Sequence, residues 1–108
     1  MHAILIEPAL DAITQIDLDI APEKNEVAKY LQGGATFIGQ WPELDVVIIR
    51  SIDARELKNE NRLPPPFDHG NIVHGNILLV RMDENSEHQP FTLEEYRSFL
   101  RGHERVAV

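Results

Sequence analysis

The side chains best suited to chemistry gather late in the chain: Asp68, His69 and His74, with Asp83 and His88 beyond them. Zinc accepts imidazole nitrogen and carboxylate oxygen, so Asp68, His69 and His74 could supply three ligands if the fold brought them together. Their spacing matches no helical His pair and no other metal motif, and His69 and His74 flank an expected strand start, where they need not converge. Solvated or hydrogen-bonded histidines are the simpler reading, and no metal or other cofactor is expected. The sequence also lacks Gly-x-Ser-x-Gly, a glycine loop followed by Lys and Ser or Thr, and Gly-x-Gly-x-x-Gly. Gly33-Gly34 reads as a helix cap before it reads as a phosphate cradle. Ser51 and Ser86 have histidines elsewhere in the chain, but a nucleophile and its base are assigned by geometry and not by their presence. No enzyme is expected.

Two arginines and one proline run are more informative. Arg50 follows Val46-Val47-Ile48-Ile49, and Arg81 follows Ile77-Leu78-Leu79-Val80. If these runs are neighbouring strands, the two guanidiniums could share one end of a sheet and grip an anionic, nucleotide-like ligand, because a planar donor fork suits phosphate and carboxylate. Pairing with Asp53, Asp83 or Glu84 at the strand ends is the competing reading. Leu63, Pro64, Pro65, Pro66 and Phe67 form a stiff segment with fixed φ and few N–H donors, which adopts an extended conformation and cannot belong to a central strand. With Trp41 and Pro42 it could present an exposed apolar surface to a partner. Alternatively, it simply routes the chain across the sheet, with Leu63 and Phe67 as anchors.

These groups need elements to hold them. Apolar residues on consecutive positions are buried only where both faces of a strand are covered, so residues 46–49 and 77–80 are expected side by side in the middle of a sheet. Residues 3–6 read as a further strand. Ile16, Asp17, Leu18, Asp19 and Ile20 alternate and read as its hairpin partner with one wet face. A three-turn helix is expected from Pro22, with Val27, Tyr30 and Leu31 buried and Gly33 as its left-handed cap. Residues 36–40 read as a strand turning through 41–45 into the next. Thr92-Leu93-Glu94-Glu95 has capping-box spacing, Phe91 and Tyr96 occupy the staple positions, and Leu93, Tyr96, Phe99 and Leu100 form the stripe of a last helix ended by Gly102. A frayed tail is expected from Arg105. The fold class is therefore α+β: a small, mostly antiparallel sheet of about five strands with two helices packed on it.

The 108 residues fit a single domain spanning 1–108, and 43% hydrophobic content is enough for a modest core. Without cysteine there are no disulfides, thiolate metal sites or thiol nucleophiles. A net charge of -8 opposes direct nucleic-acid binding, which depends on Lys and Arg displacing counterions. It serves solubility, or else mimicry of DNA by an acidic face. No stretch approaches the roughly 18 apolar residues of a membrane span.

In order, Ile4-Leu5-Ile6-Glu7-Pro8, the helix ending at Gly33-Gly34, the Val46 run leading to Leu57-Lys58, Leu63-Pro64 and the segment Val73-His74-Gly75-Asn76-Ile77-Leu78-Leu79-Val80 resemble the DUF3846 family of uncharacterised phage and large-DNA-virus proteins. Leu63-Pro64-Pro65-Pro66-Phe67-Asp68 and the stretch from Arg81-Met82-Asp83-Glu84-Asn85 to Phe91-Thr92-Leu93-Glu94-Glu95-Tyr96 are similar to the algal-virus variant. Where many of those relatives carry an acidic pair after the Val-rich strand, this chain has Arg50-Ser51-Ile52-Asp53. The resemblance implies a viral accessory protein and brings no catalytic residues. The resulting expectation is a non-catalytic protein of the host cytosol or nucleoplasm that binds a host or viral macromolecule through Trp41, Pro42, Leu63, Pro64, Pro65, Pro66 and Phe67. The partner is a protein of unknown identity; self-association stays open and no membrane is involved. The alternatives are capture of an anionic ligand by Arg50 and Arg81, and an acidic DNA mimic.

Overall fold

Two apolar runs that must be covered on both faces set the architecture of the computed structural model, which describes residues 1–51, 59, 61 and 75–106. They form β4 (Val46–Ser51) and β5 (Ile77–Met82), antiparallel neighbours in register from Val46 opposite Arg81 to Arg50 opposite Ile77. β1 (His2–Ile6) pairs with the other side of β5, and β2 (Ile13–Asp17) and β3 (Ala35–Trp41) lie outermost, giving the order β2-β1-β5-β4-β3. The short β6 (His88–Gln89) pairs with the end of β5. With α1 (Glu26–Leu31) and α2 (Leu93–Val106), this is the expected α+β arrangement of an antiparallel sheet and two helices.

Alternation along the strands divides the core into two layers. Ile77 and Leu79, with Ile4, Ile6, Val46 and Ile48, meet Trp41, Phe91 and Tyr96 on the α2 side; Leu78 and Val80, with Ala3 and Leu5, meet Leu18 and Leu31 on the α1 side. Each fully buried Ile or Leu stabilises the fold by about 1.5–3 kcal/mol. A one-residue slip of β5 would exchange its two buried sets and lose the register.

The first turn of α2 forms as its sequence demands. The Thr92 hydroxyl accepts from the Glu95 N–H at 3.2 Å, Glu95 Oε1 accepts from the Thr92 N–H at 3.2 Å, and the Phe91 and Tyr96 rings meet edge-on at 6.1 Å. Leu93, Phe99 and Leu100 pack on the same core.

Four local expectations are corrected. The hairpin partner of β1 begins at Ile13, because the preceding turn closes with the Ala12 N–H on Ala9 O at 3.0 Å and Asp11 in the left-handed region. Leu18 and Ile20 lie beyond the strand's end at Asp17 and pack in the α1 layer, Leu18 with its N–H still donating to Met1 O at 2.8 Å. The helix expected from Pro22 is a 3-10 turn (Pro22–Lys24) and the six-residue α1, separated by Asn25 at φ 56°. Gln32, at φ 60°, and not Gly33, takes the left-handed position, and the Gly33 N–H donates back to Ala28 O at 3.0 Å. Finally, α2 does not stop at Gly102 but continues through Arg105 to Val106, where a frayed tail was expected.

Two asparagines that follow β4 in the chain, Asn59 and Asn61, bond to the end of β1 and its turn. Asn59, 6% exposed, donates through Nδ2 to Ile6 O at 3.3 Å and Gly75 O at 2.9 Å, joining the end of β1 to the entry of β5. Asn61 donates to Glu7 O and Ala9 O, each at 2.9 Å, and accepts from the Asp11 N–H at 2.8 Å.

Candidate functional site

Antiparallel pairing separates the two arginines that the sequence suggested could act together. Arg50 stands opposite Ile77 and Arg81 opposite Val46, four residues apart along β5, or about 14 Å at strand rise. The expected common position at one end of the sheet is corrected: two strands that each end in Arg place those residues together only if they run parallel. Arg81 turns toward α2, where Nε donates to Leu44 O at 3.0 Å and Nη1 donates to Pro90 O at 3.1 Å and Glu95 Oε2 at 2.7 Å. Its guanidinium carbon lies 4.9 Å from the Phe91 ring centroid. Its acid partner is thus Glu95, not the nearby Asp83 or Glu84. Burial works against the Glu95 charge, but hydrogen bonds from Arg81 and Thr92 outweigh it and hold the carboxyl below its ordinary range.

Of the expected partner-binding residues, Trp41 is corrected to a core position. It is 1% exposed, with ring centroids 6.2 Å from Tyr96 and 5.1 Å from Phe99, because it pairs opposite Val46 on the α2 side. Pro42 is exposed and opens the 3-10 turn Pro42–Leu44. Leu63, Pro64, Pro65, Pro66 and Phe67 lie outside the described residues, as do Asp53, Asp68, His69 and His74. Among the described residues, no three His, Asp or Glu side chains converge to hold a metal.

An unpredicted surface lies along β3. Among the described residues no strand pairs with its outer side, so about half of its N–H and C=O groups face away from β4. From Ala35 to Trp41 it carries no charge and no proline. Among the described residues, the one device that blunts this edge is a bulge, where the register shifts between Phe37 and Gly39. Phe37 is 61% exposed. The bulge brings Phe37 and Gln40 to the same face, opposite Ile49 and Val47 on the α1 side.

Past Gln40 this face opens into a cleft of about 390 Å³ lined by Gln40, Pro42, Val47, Met82, Ser86 and three acids, Asp45, Asp83 and Glu84. The Asp83 carboxylate organises its own turn: Oδ1 accepts from the Asn85 and Glu87 N–H groups and Oδ2 from the Gln89 amide, all at 2.9 Å. The backbone bond from Glu87 is the main reason its carboxyl titrates below the ordinary value. Asp45 and Glu84 are exposed. Among the described residues, no basic side chain lines the cleft.

The model of a family of unknown function, DUF5880, matches residues 4–99. The chain belongs to DUF5880. No curated protein and no solved structure matches it. The resemblance to DUF3846 is thereby corrected. Much of that resemblance rested on apolar runs now seen as β1, β4 and β5, whose composition reflects burial on both faces and recurs wherever a strand is sandwiched.

Within this DUF5880 chain, a second cleft of about 490 Å³ gathers Met1, Asp17, Leu18, Asp19, Ile20, Glu26 and His88. The Met1 amino group pairs with Asp17 at 2.8 Å and Glu26 accepts from the Asp19 N–H at 3.1 Å, while the buried His88 Nε2 has no hydrogen-bond partner among the described residues. Burial, then the amino-terminal charge, hold the His88 imidazole below its ordinary pKa, against a weaker opposing pull from Asp19. Sequence reasoning missed Phe37, Asp45 and Asn59. For Phe37 the signal was present: an uncharged, proline-free strand beside two glycines, followed by a turn.

Proposed function

We propose that this chain is a non-catalytic protein-binding module whose partner adds an extended segment to the outer side of β3. The observation that carries the reading is an uncharged edge strand with Phe37 standing 61% exposed on it. Strand addition draws affinity from main-chain hydrogen bonds and specificity from alternate side chains. Phe37 supplies the apolar anchor, and the bulge keeps the pairing run short, which limits indiscriminate edge-to-edge association. Pro42, one of the residues the sequence suggested for partner binding, borders the same surface. Capture of an anion jointly by Arg50 and Arg81 has no geometric support, given their separation. The viral and host-directed part of the expectation came with the DUF3846 resemblance, and strand addition does not depend on it.

The test is site-specific photocrosslinking in cells of the source organism. A benzoylphenylalanine replaces Phe37 in one variant and Leu10 in another, Leu10 being 70% exposed in the turn between β1 and β2. Adducts formed at position 37 and not at position 10 support the reading. Equal adducts at both, or none at position 37, overturn it.

A further inference from the structure

We infer that the segment received by β3 carries Lys or Arg at the end that reaches the Pro42 cleft, an inference that rests on strand addition at this edge. Gln40 belongs both to β3 and to the cleft wall, so the edge that carries Phe37 and the cleft adjoin at this residue. The floor, Val47 and Met82, is apolar and half-buried, and the exposed carboxylates Asp45 and Glu84 stand at its rim. That combination matches a long cationic side chain, whose alkyl stem lies on apolar surface while its head stays at the wet rim. A methionine in the floor lets either stem fit. The net charge of -8 draws cationic segments toward the chain. The same charge argues against a second copy as the occupant, since self-pairing brings two acidic chains together, and against nucleic acid, whose phosphates share the sign of the rim.

The experiment selects random decapeptides by display on the full chain, then measures binding of the enriched peptides by fluorescence anisotropy. The proteins compared are the parent, Phe37→Lys and the double variant Asp45→Asn/Glu84→Gln. All three changes are at exposed positions, and Asn tolerates the positive φ of 55° at position 45; thermal melts by circular dichroism check that each variant is folded. The expected result is enrichment of alternating apolar peptides with Lys or Arg at one end, with Kd raised at least tenfold by Phe37→Lys. The double variant should raise Kd about fivefold, the scale of two exposed ion pairs, and 0.5 M salt should have a similar effect. Peptides that lack basic residues but lose binding in Phe37→Lys overturn the charge inference and leave strand addition standing. Peptides indifferent to Phe37→Lys, or no enrichment at all, overturn strand addition and the inference with it.

Discussion

Arg81 and Glu95 meet at 2.7 Å and join the middle strand of the sheet to the first turn of α2. The same guanidinium donates to Leu44 O and Pro90 O, so one side chain fastens the end of β5 to the turn before β4 and to the segment that leads into α2. Arg81→Met keeps the stem but removes every donor, and should destabilise the fold by about 2 kcal/mol, mostly from carbonyls left without partners. Glu95→Gln should cost about half of that, since Gln also serves in a capping box and Arg81 retains its two carbonyls. Urea denaturation of both single variants and the double variant measures the coupling. Strict additivity would show that the ion pair contributes nothing of its own.

The same pair predicts an acid limb. Glu95 titrates below its ordinary value of 4.5 when folded, so the unfolded chain binds its proton first; the stabilisation is present above pH 4.5 and is lost as pH falls through the folded pKa. Asp83 acts with the same sign below 3.8. His88, held below 6.5 by burial first, also favours the unfolded state once pH drops under 6.5. Stability by urea titration at pH 7, 5.5, 4 and 3 should fall in that order. Glu95→Gln should flatten the part below pH 4.5, while His88→Gln should flatten the fall that begins at pH 6.5.

The sequence made legible those features that arise from short-range chemistry. Ile77 to Val80 could be placed in the middle of the sheet because four consecutive apolar residues require two covered faces, and Thr92 with Glu95 could be read as a cap because the motif closes within one turn. Strand direction was less accessible. Nothing local states whether β4 and β5 run the same way, and this alone decides whether Arg50 and Arg81 meet. Trp41 illustrates the same limit: beside Pro42 it reads as a turn residue, and only its register opposite Val46 places it in the core. The β3 site depends on which strand ends up outermost, a property of topology that a strand's own residues do not encode.

Asn59 reads in the sequence as one polar residue among several, yet it is buried and bridges Ile6 O and Gly75 O. Asn59→Ala leaves both carbonyls without that donor, and a loss of about 2–3 kcal/mol is expected. Asn59→Asp should be at least as damaging, because it sets a carboxylate against two carbonyl oxygens. Asn61→Ala, at a more exposed site, should cost about 1 kcal/mol. Guanidinium melts rank the three, and amide exchange should show the protection lost first at the Ile6 end of β1 and the Ile77 end of β5.

Gly102 offers a change in the opposite direction. It lies within α2 and not at its end, and a Cβ added there meets no heavy atom of the described residues within 4 Å. Its only effect on the folded state is the backbone freedom it brings to a helical position, which makes Gly about 1 kcal/mol worse than Ala. Gly102→Ala should therefore stabilise the chain by an amount approaching 1 kcal/mol, raising the thermal midpoint by several degrees for a domain of this size. The gain is smaller if the last turn of α2 already unfolds below the global transition. Calorimetry with amide exchange of residues 98–102 separates these outcomes: a raised midpoint with stronger protection places Gly102 inside the cooperative unit. An unchanged midpoint with stronger local protection places it in an independently fraying turn.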